Sequence, residues 1–104
     1  MIHLNLGSNL NSILGSRYDN LTIATNLLIE AKIKITKISN FYETPSYPNQ
    51  TLPKFLNIGI LARFDNNYTE LLKSISLIEK KMGRIRTKKN DPRIIDIDII
   101  DFKG

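Results

Sequence analysis

Apolar residues along this chain switch between two periods, and the switches mark its elements. Ile2, Leu4 and Leu6 alternate with His3 and Asn5, which predicts a short strand over 2–6 ending at Gly7-Ser8-Asn9. Ser16 with Asp19 three residues later resembles an N-terminal capping box. Leu21, Ala24, Leu28 and Ala31 then recur at spacings of three and four, predicting a helix to about Ala31. The period falls to two in Lys32-Ile33-Lys34-Ile35-Thr36, a half-buried strand expected to continue through a bulge at Lys37 to Phe41-Tyr42. Residues 44–54 hold three prolines, each lacking a backbone donor and restricting its predecessor, so a loop is expected. Phe55 to Phe64 predicts a strand with Leu56, Ile58, Ile60, Ala62 and Phe64 on one face. Phe55, Asn57, Gly59 and Arg63 take the other face, so Asn57 is expected to point away from the core. A second helix should start near Asn67, whose spacing to Glu70 fits a cap, carry Leu71, Leu72, Ile75, Ile78 and Met82 inward, and stop at Gly83. A last strand runs from Ile94 to Phe102. The order βαββαβ predicts an α+β chain with a ferredoxin-like core, a four-stranded antiparallel sheet with two helices on one face and the other face open.

Composition narrows the classes. With 104 residues the chain fits one domain and one modest core. An apolar fraction of 41% and a charged fraction of 24% suit a globular protein rather than a disordered one. No window approaches a membrane span, and Met1 to Gly7 lack a basic region followed by an apolar stretch, so the cytoplasm is the expected location. The absence of cysteine excludes a disulfide framework, a thiolate metal site and a cysteine nucleophile. The net charge of +5 points to an anionic partner, either nucleic acid or a nucleotide triphosphate.

The stretch richest in chemistry is Pro92-Arg93-Ile94-Ile95-Asp96-Ile97-Asp98-Ile99-Ile100. Alternation sends Ile95, Ile97 and Ile99 to the core and Asp96 and Asp98 outward together, about 6.6 Å apart along the strand. Two like charges this close repel, and a hard, oxygen-liganded ion such as magnesium relieves the repulsion while keeping positions for phosphate oxygens. On spacing alone, the solvated side of an alternating strand is the commoner explanation. What precedes the strand changes that balance. Residues 83–93 carry five cations, Arg84, Arg86, Lys88, Lys89 and Arg93, beside the carboxylates. Carboxylates for a metal next to arginines for phosphate oxygens suit phosphoryl transfer, where the protein mainly positions groups and stabilises charge. A third feature is the proline-rich loop together with Phe55 and Asn57, an aromatic face and a side-chain amide able to meet a pyrimidinone-like ring. Alone, Phe55 and Tyr47 are more often packing residues than ligand-binding ones. His3 has no partner at ligand spacing and is expected to be structural. Gly7-Ser8-Asn9 lacks the lysine and glycine spacing of a phosphate loop and is expected to be a turn.

Five blocks in order, Leu6-Gly7-Ser8-Asn9-Leu10, Phe41-Tyr42-Glu43-Thr44-Pro45, Phe55-Leu56-Asn57, Ile78-Glu79 with Gly83-Arg84-Ile85-Arg86, and Pro92 to Ile99, resemble the successive motifs of the 6-hydroxymethyl-7,8-dihydropterin pyrophosphokinases. The resemblance covers essentially the whole chain. It implies transfer of diphosphate from ATP to the pterin's hydroxymethyl group in folate biosynthesis, with release of AMP. It further implies that Asp96 and Asp98 hold two Mg2+ ions, and that Arg84 and Arg93 act at the transferring group. Glu79, Arg86, Lys89, Arg93 and Ile99 would meet ATP, while Thr44, Pro45, Tyr47, Phe55 and Asn57 would form the pterin pocket. The implied partners are these two small molecules, with no nucleic acid and no membrane, and the chain is expected to be a monomer. Asp91 stands where the family has a small residue, Asn90 replaces an aromatic, and the segment from Arg84 to Arg93 is one residue short. Family members continue for roughly another third, so residues 1–104 are expected to be a single pyrophosphokinase domain lacking its C-terminal third. Two other readings stand beside this one: a basic ferredoxin-like RNA-binding module, and a truncated chain that folds but catalyses nothing.

Overall fold

The structure is a computed structural model that describes residues 1–12, 14–46, 51–84 and 92–103. Its elements run β1 (Ile2–Ser8), α1 (Arg17–Glu30), β2 (Lys34–Ile38), β3 (Tyr42–Thr44), β4 (Phe55–Arg63), α2 (Tyr68–Lys81) and β5 (Asp96–Phe102). All pairings are antiparallel, in the order β2-β4-β1-β5, with β3 also on β4. The class is the expected α+β one, but the sheet has five strands instead of four.

The extra strand comes from a break in the expected run from Lys32 to Tyr42. The register against β4 shifts between Ile35 and Lys37, which leaves Thr36 as the bulged residue. At Ser39 the ladder stops. Its N–H donates to Gly59 O at 2.9 Å, and its hydroxyl, not its carbonyl, accepts from Gly59 N at 2.7 Å. The chain then turns and rejoins the same edge of β4 at Tyr42, opposite Asn57. Lys32, expected at the strand's start, instead sits in the preceding turn at φ 69.

Alternation in β1 builds the core. Ile2, Leu4 and Leu6 are fully buried under the helices, against Ile58, Ile60 and Ala62 of β4 and Ile97 of β5. Helix α1 supplies Leu21, Ala24 and Leu28, and α2 supplies Leu71, Ile75 and Ile78. Leu72, expected inward, is exposed, because the inward stripe of α2 passes through Leu71 and Ile75 and leaves its neighbour about 100° away around the helix. Both helices start where the sequence signals. Ser16 and Asp19 form a reciprocal capping box, and Asn67 accepts from Glu70 N. Asn20 is a buried polar residue of α1, and its amide ties Ser8, Leu10 and Ser12 to the helix.

The opposite sheet face carries His3, Asn5 and Gly7 from β1, Asn57 and Gly59 from β4, and Asp96 and Asp98 from β5. No helix among the described residues is long and apolar enough to cross a membrane. Ser16→Ala removes the hydroxyl half of the capping box and is expected to cost about 1 kcal/mol of stability, read from the urea midpoint at unchanged slope. A shift indistinguishable from zero would show that Asp19 alone starts the helix.

Candidate functional site

Helix α2 ends in a way that aims Arg84 at the acidic strand. Gly83 takes the left-handed conformation at φ 86, its N–H donates to Lys80 O, and Arg84 N–H donates to Glu79 O, a Schellman pair. The turn folds Arg84 back over Glu79, whose Oε2 accepts from Arg84 Nη1 at 2.5 Å. The same guanidinium nitrogen donates to Asp96 Oδ1 at 3.0 Å. Arg93 approaches the other oxygen of Asp96 at 3.9 Å. Glu79 is 4% exposed, and it also accepts the N–H of Ile97 at 3.0 Å, on the edge of β5 that no strand covers among the described residues. A buried carboxylate so placed is held by charge and hydrogen bonds together.

Asp98 follows on the same face as Asp96. Partial burial, then the charge of Asp96 and a hydrogen bond with its carboxyl, then the charge of Glu79, push Asp98 up to about 6, with Arg84 opposing them. Burial is thus the first cause and the neighbouring carboxylates the next, and together they make Asp98 hold its proton more tightly than a free carboxyl group does. No cluster of three metal-ligating side chains occurs among the described residues. Two carboxylates on one face fit a hard divalent ion of the kind that keeps water and phosphate oxygens in its remaining positions.

Across β1 from these carboxylates lies an amide. Gly7 pairs with Asp96 on one side and with Asn57 on the other, so a residue without a side chain separates them. A Cβ at Gly7 would lie 3.0 Å from Asn57 Oδ1 and 3.2 Å from Phe55 Cδ1. The gap is real. Asn57 is on the face opposite the core, as alternation requires, but it is 6% exposed rather than free. Its Nδ2 donates to Thr44 Oγ1 at 3.0 Å and lies 3.3 Å from Tyr42 O. Phe55 lies under the Arg93 guanidinium, 5.8 Å from ring centroid to Cζ. Arg93 thus touches both the aromatic side and the acidic side of the gap.

The structure brings together Glu79, Arg84, Arg93, Asp96 and Asp98 in one charge cluster, and Thr44, Phe55 and Asn57 in one hydrogen-bonded group. Pro45 follows β3 directly and is exposed, while the side chain of Ile99 packs against the core. Tyr47, Arg86 and Lys89, and with them Asn90 and Asp91, lie outside the described residues.

One residue read as part of a turn and of the first motif, with no role of its own, joins two parts of the site. Gly7 and Ser8 belong to β1, and Asn9 beyond them is 2% exposed. Its N–H donates to Arg93 O at 3.1 Å and its Oδ1 accepts from Arg93 N at 2.7 Å. Its Nδ2 donates to Ser46 Oγ at 3.1 Å and Pro53 O at 3.2 Å. One carboxamide therefore joins the proline-rich loop to the start of the acidic strand. Nothing in local spacing marks it, because its partners are 37 to 84 residues away.

The native fold binds the Asp98 proton more tightly than the unfolded chain, from an ordinary 3.8 to about 6. Its stabilisation is therefore present at low pH and lost as pH rises through that window. Asp98→Asn is expected to abolish this decline and to raise stability at pH 7 by on the order of 1 kcal/mol after solvent screening. Urea denaturation across pH 4 to 7 checks it, and parallel pH slopes in the two proteins would contradict it.

A family model described as 7,8-dihydro-6-hydroxymethylpterin-pyrophosphokinase matches residues 3–103. A 2-amino-4-hydroxy-6-hydroxymethyldihydropteridine pyrophosphokinase of Bacillus subtilis (strain 168) is 35% identical over 101 residues, covering 96% of this chain and 58% of the relative. A protein of the same name from Aquifex aeolicus (strain VF5) is 36% identical over 102 residues, covering 98% and 61%. The folic acid synthesis protein FOL1 of Dictyostelium discoideum is 35% identical over 104 residues, all of this chain and 15% of that one. The chain thus spans about three-fifths of the two bacterial relatives and a small part of the third. With the match running from the first strand to the last and over both sides of the gap at Gly7, the chain belongs to the 7,8-dihydro-6-hydroxymethylpterin-pyrophosphokinase family.

Proposed function

We propose that this chain carries the site for diphosphate transfer from ATP to the hydroxymethyl group of 6-hydroxymethyl-7,8-dihydropterin, giving AMP and the pterin diphosphate in folate biosynthesis. The observation that carries this reading is the side-chain-free position at Gly7, with an amide and an aromatic leaning over it from one side and paired carboxylates on the other. Adjacent strands lie about 4.8 Å apart, so Asn57 and Asp96 stand roughly 10 Å apart across β1, room for a heterocycle and a phosphate to meet.

Thr44, Pro45, Tyr47, Phe55 and Asn57 take the pterin, Asn57 through its amide and Phe55 through its ring face. Arg84 and Arg93 bind phosphate oxygens and stabilise charge on the transferring group, joined by Arg86 and Lys89. Arg84 arrives already oriented, since Glu79 and Asp96 hold its guanidinium. Glu79 serves the nucleotide indirectly, through Arg84, and Ile99 through its main chain. Magnesium, two ions in this reading, would be held by Asp96 and Asp98 and would neutralise the triphosphate. The hydroxymethyl oxygen attacks the β-phosphorus in line, the bond from that phosphorus to the α-phosphate's bridging oxygen breaks, and AMP leaves with the electron pair. The partners are these small molecules, with no nucleic acid and no membrane, and the chain works as a cytoplasmic monomer.

The test is titration with a non-hydrolysable ATP analogue, with and without magnesium. Binding is expected to require magnesium and to fall at least roughly tenfold in Asp96→Ala plus Asp98→Ala, about 1.4 kcal/mol. Binding that ignores both the metal and the substitutions would overturn the nucleotide site. On the other side, Gly7→Ala drives a methyl group against Asn57 and is expected to weaken pterin binding roughly tenfold while the analogue still binds. Equal loss of both ligands would show a general disturbance of the sheet instead.

A further inference from the structure

Which atom of Asn57 meets a ligand is decided by residues that do not touch the ligand. The Asn57 nitrogen lies 3.3 Å from Tyr42 O and 3.4 Å from Phe55 O. Backbone carbonyls offer only lone pairs, so the group between them has to be the NH2. With Thr44 Oγ1 as a third acceptor at 3.0 Å, both amide hydrogens are committed. The carbonyl oxygen of Asn57 then faces Asn5, which has to present its own NH2, at 3.4 Å. That leaves Asn5 Oδ1 toward the Tyr42 hydroxyl at 2.6 Å, and the hydroxyl has to donate. Each polarity follows from the one before, starting from carbonyls that cannot change.

Resting on the reading of Asn57 as the pterin-facing amide, we propose that Asn5 and Tyr42 are positioning residues that brace the oxygen of the Asn57 carboxamide, whose NH2 the main chain already fixes, so that this oxygen is offered to a hydrogen-bond donor on the heterocycle. The relay crosses three strands. Tyr42 on β3 pairs with Asn57 on β4, and its side chain reaches Asn5 on β1, whose pleat neighbours are Gly59 and Asp98. The amide-to-amide link is long, at 3.4 Å, so the short hydroxyl bond at 2.6 Å supplies most of the hold on Asn5. Tyr42 is half-exposed at 46%, which makes its hydroxyl removable without opening the core.

Without the hydroxyl, Asn5 is held only by its long 3.4 Å bond to Asn57, and the acceptor presented to the ligand loses the donor that braces it. Tyr42→Phe and Asn5→Ala are each expected to weaken binding of 6-hydroxymethylpterin by roughly three- to tenfold, the value of one hydrogen bond. The affinity for the ATP analogue with magnesium should not change. The double variant should lose no more than either single one, because both act through one bond chain. Additive losses, no loss, or an equal loss of the nucleotide would each overturn the proposal. A second measurement needs no ligand: the Asn5 side-chain amide, followed by nitrogen-15 relaxation, should be ordered in the parent and mobile in Tyr42→Phe. If it stays ordered the relay is refuted. If the parent binds no pterin while Tyr42→Phe releases the amide, the relay stands and the pterin assignment falls.

Discussion

Slide β1 by one residue against its neighbours and the site disappears. The pleat would carry Leu4 and Leu6 onto the open face and turn Asn5 and Gly7 into the core. Gly7 would no longer separate Asn57 from Asp96, and a side chain would fill the strip between them. The register is held by the burial of Ile2, Leu4 and Leu6 beneath two helices, so the hydrophobic core and the position of the polar groups are fixed by the same constraint. Central placement in the sheet gives β1 a neighbour on each side, and that is how residues from opposite ends of the sequence come to face one gap.

Periodicity made much of this legible. Strand alternation placed Asp96 and Asp98 together, and the spacing of Ser16 to Asp19 and Asn67 to Glu70 marked both helix starts, because those signals are local. The failures are just as physical. Leu72 lies next to the buried stripe, where hydrophobicity alone cannot separate neighbours around a helix. The break between β2 and β3 depends on the Ser39 hydroxyl bonding across the sheet to Gly59, a tertiary event without a local trace. Alternation put Asn57 on the correct face yet could not tell that a second polar layer would bury it. Asn9 escaped for the same reason, since its four hydrogen bonds reach residues distant in sequence.

Charge in the site is arranged around shared arginines. Glu79, Asp96 and Asp98 face Arg84 and Arg93, and Arg84 is shared between two of them. Removing one partner of a buried pair costs more than the pair contributes, so such a network keeps its geometry even where its net stabilisation is small. Asp98 lies beside these charges, and its proton affinity is pushed up first by partial burial and then by Asp96 and Glu79.

The hydrogen bond from Ile97 N–H to Glu79 has a further effect, on what the sheet can join. An outer strand with free amide hydrogens invites another chain to pair with it, the first step toward ordered aggregates. Here the helix side chain has already claimed that donor, at the rung between the two aspartates. A visiting strand would have to evict a buried carboxylate and strip Arg84 of a partner to add itself there. The residue that steadies the arginine is thus also a stopper against intermolecular growth, placed at an edge that no further strand covers among the described residues.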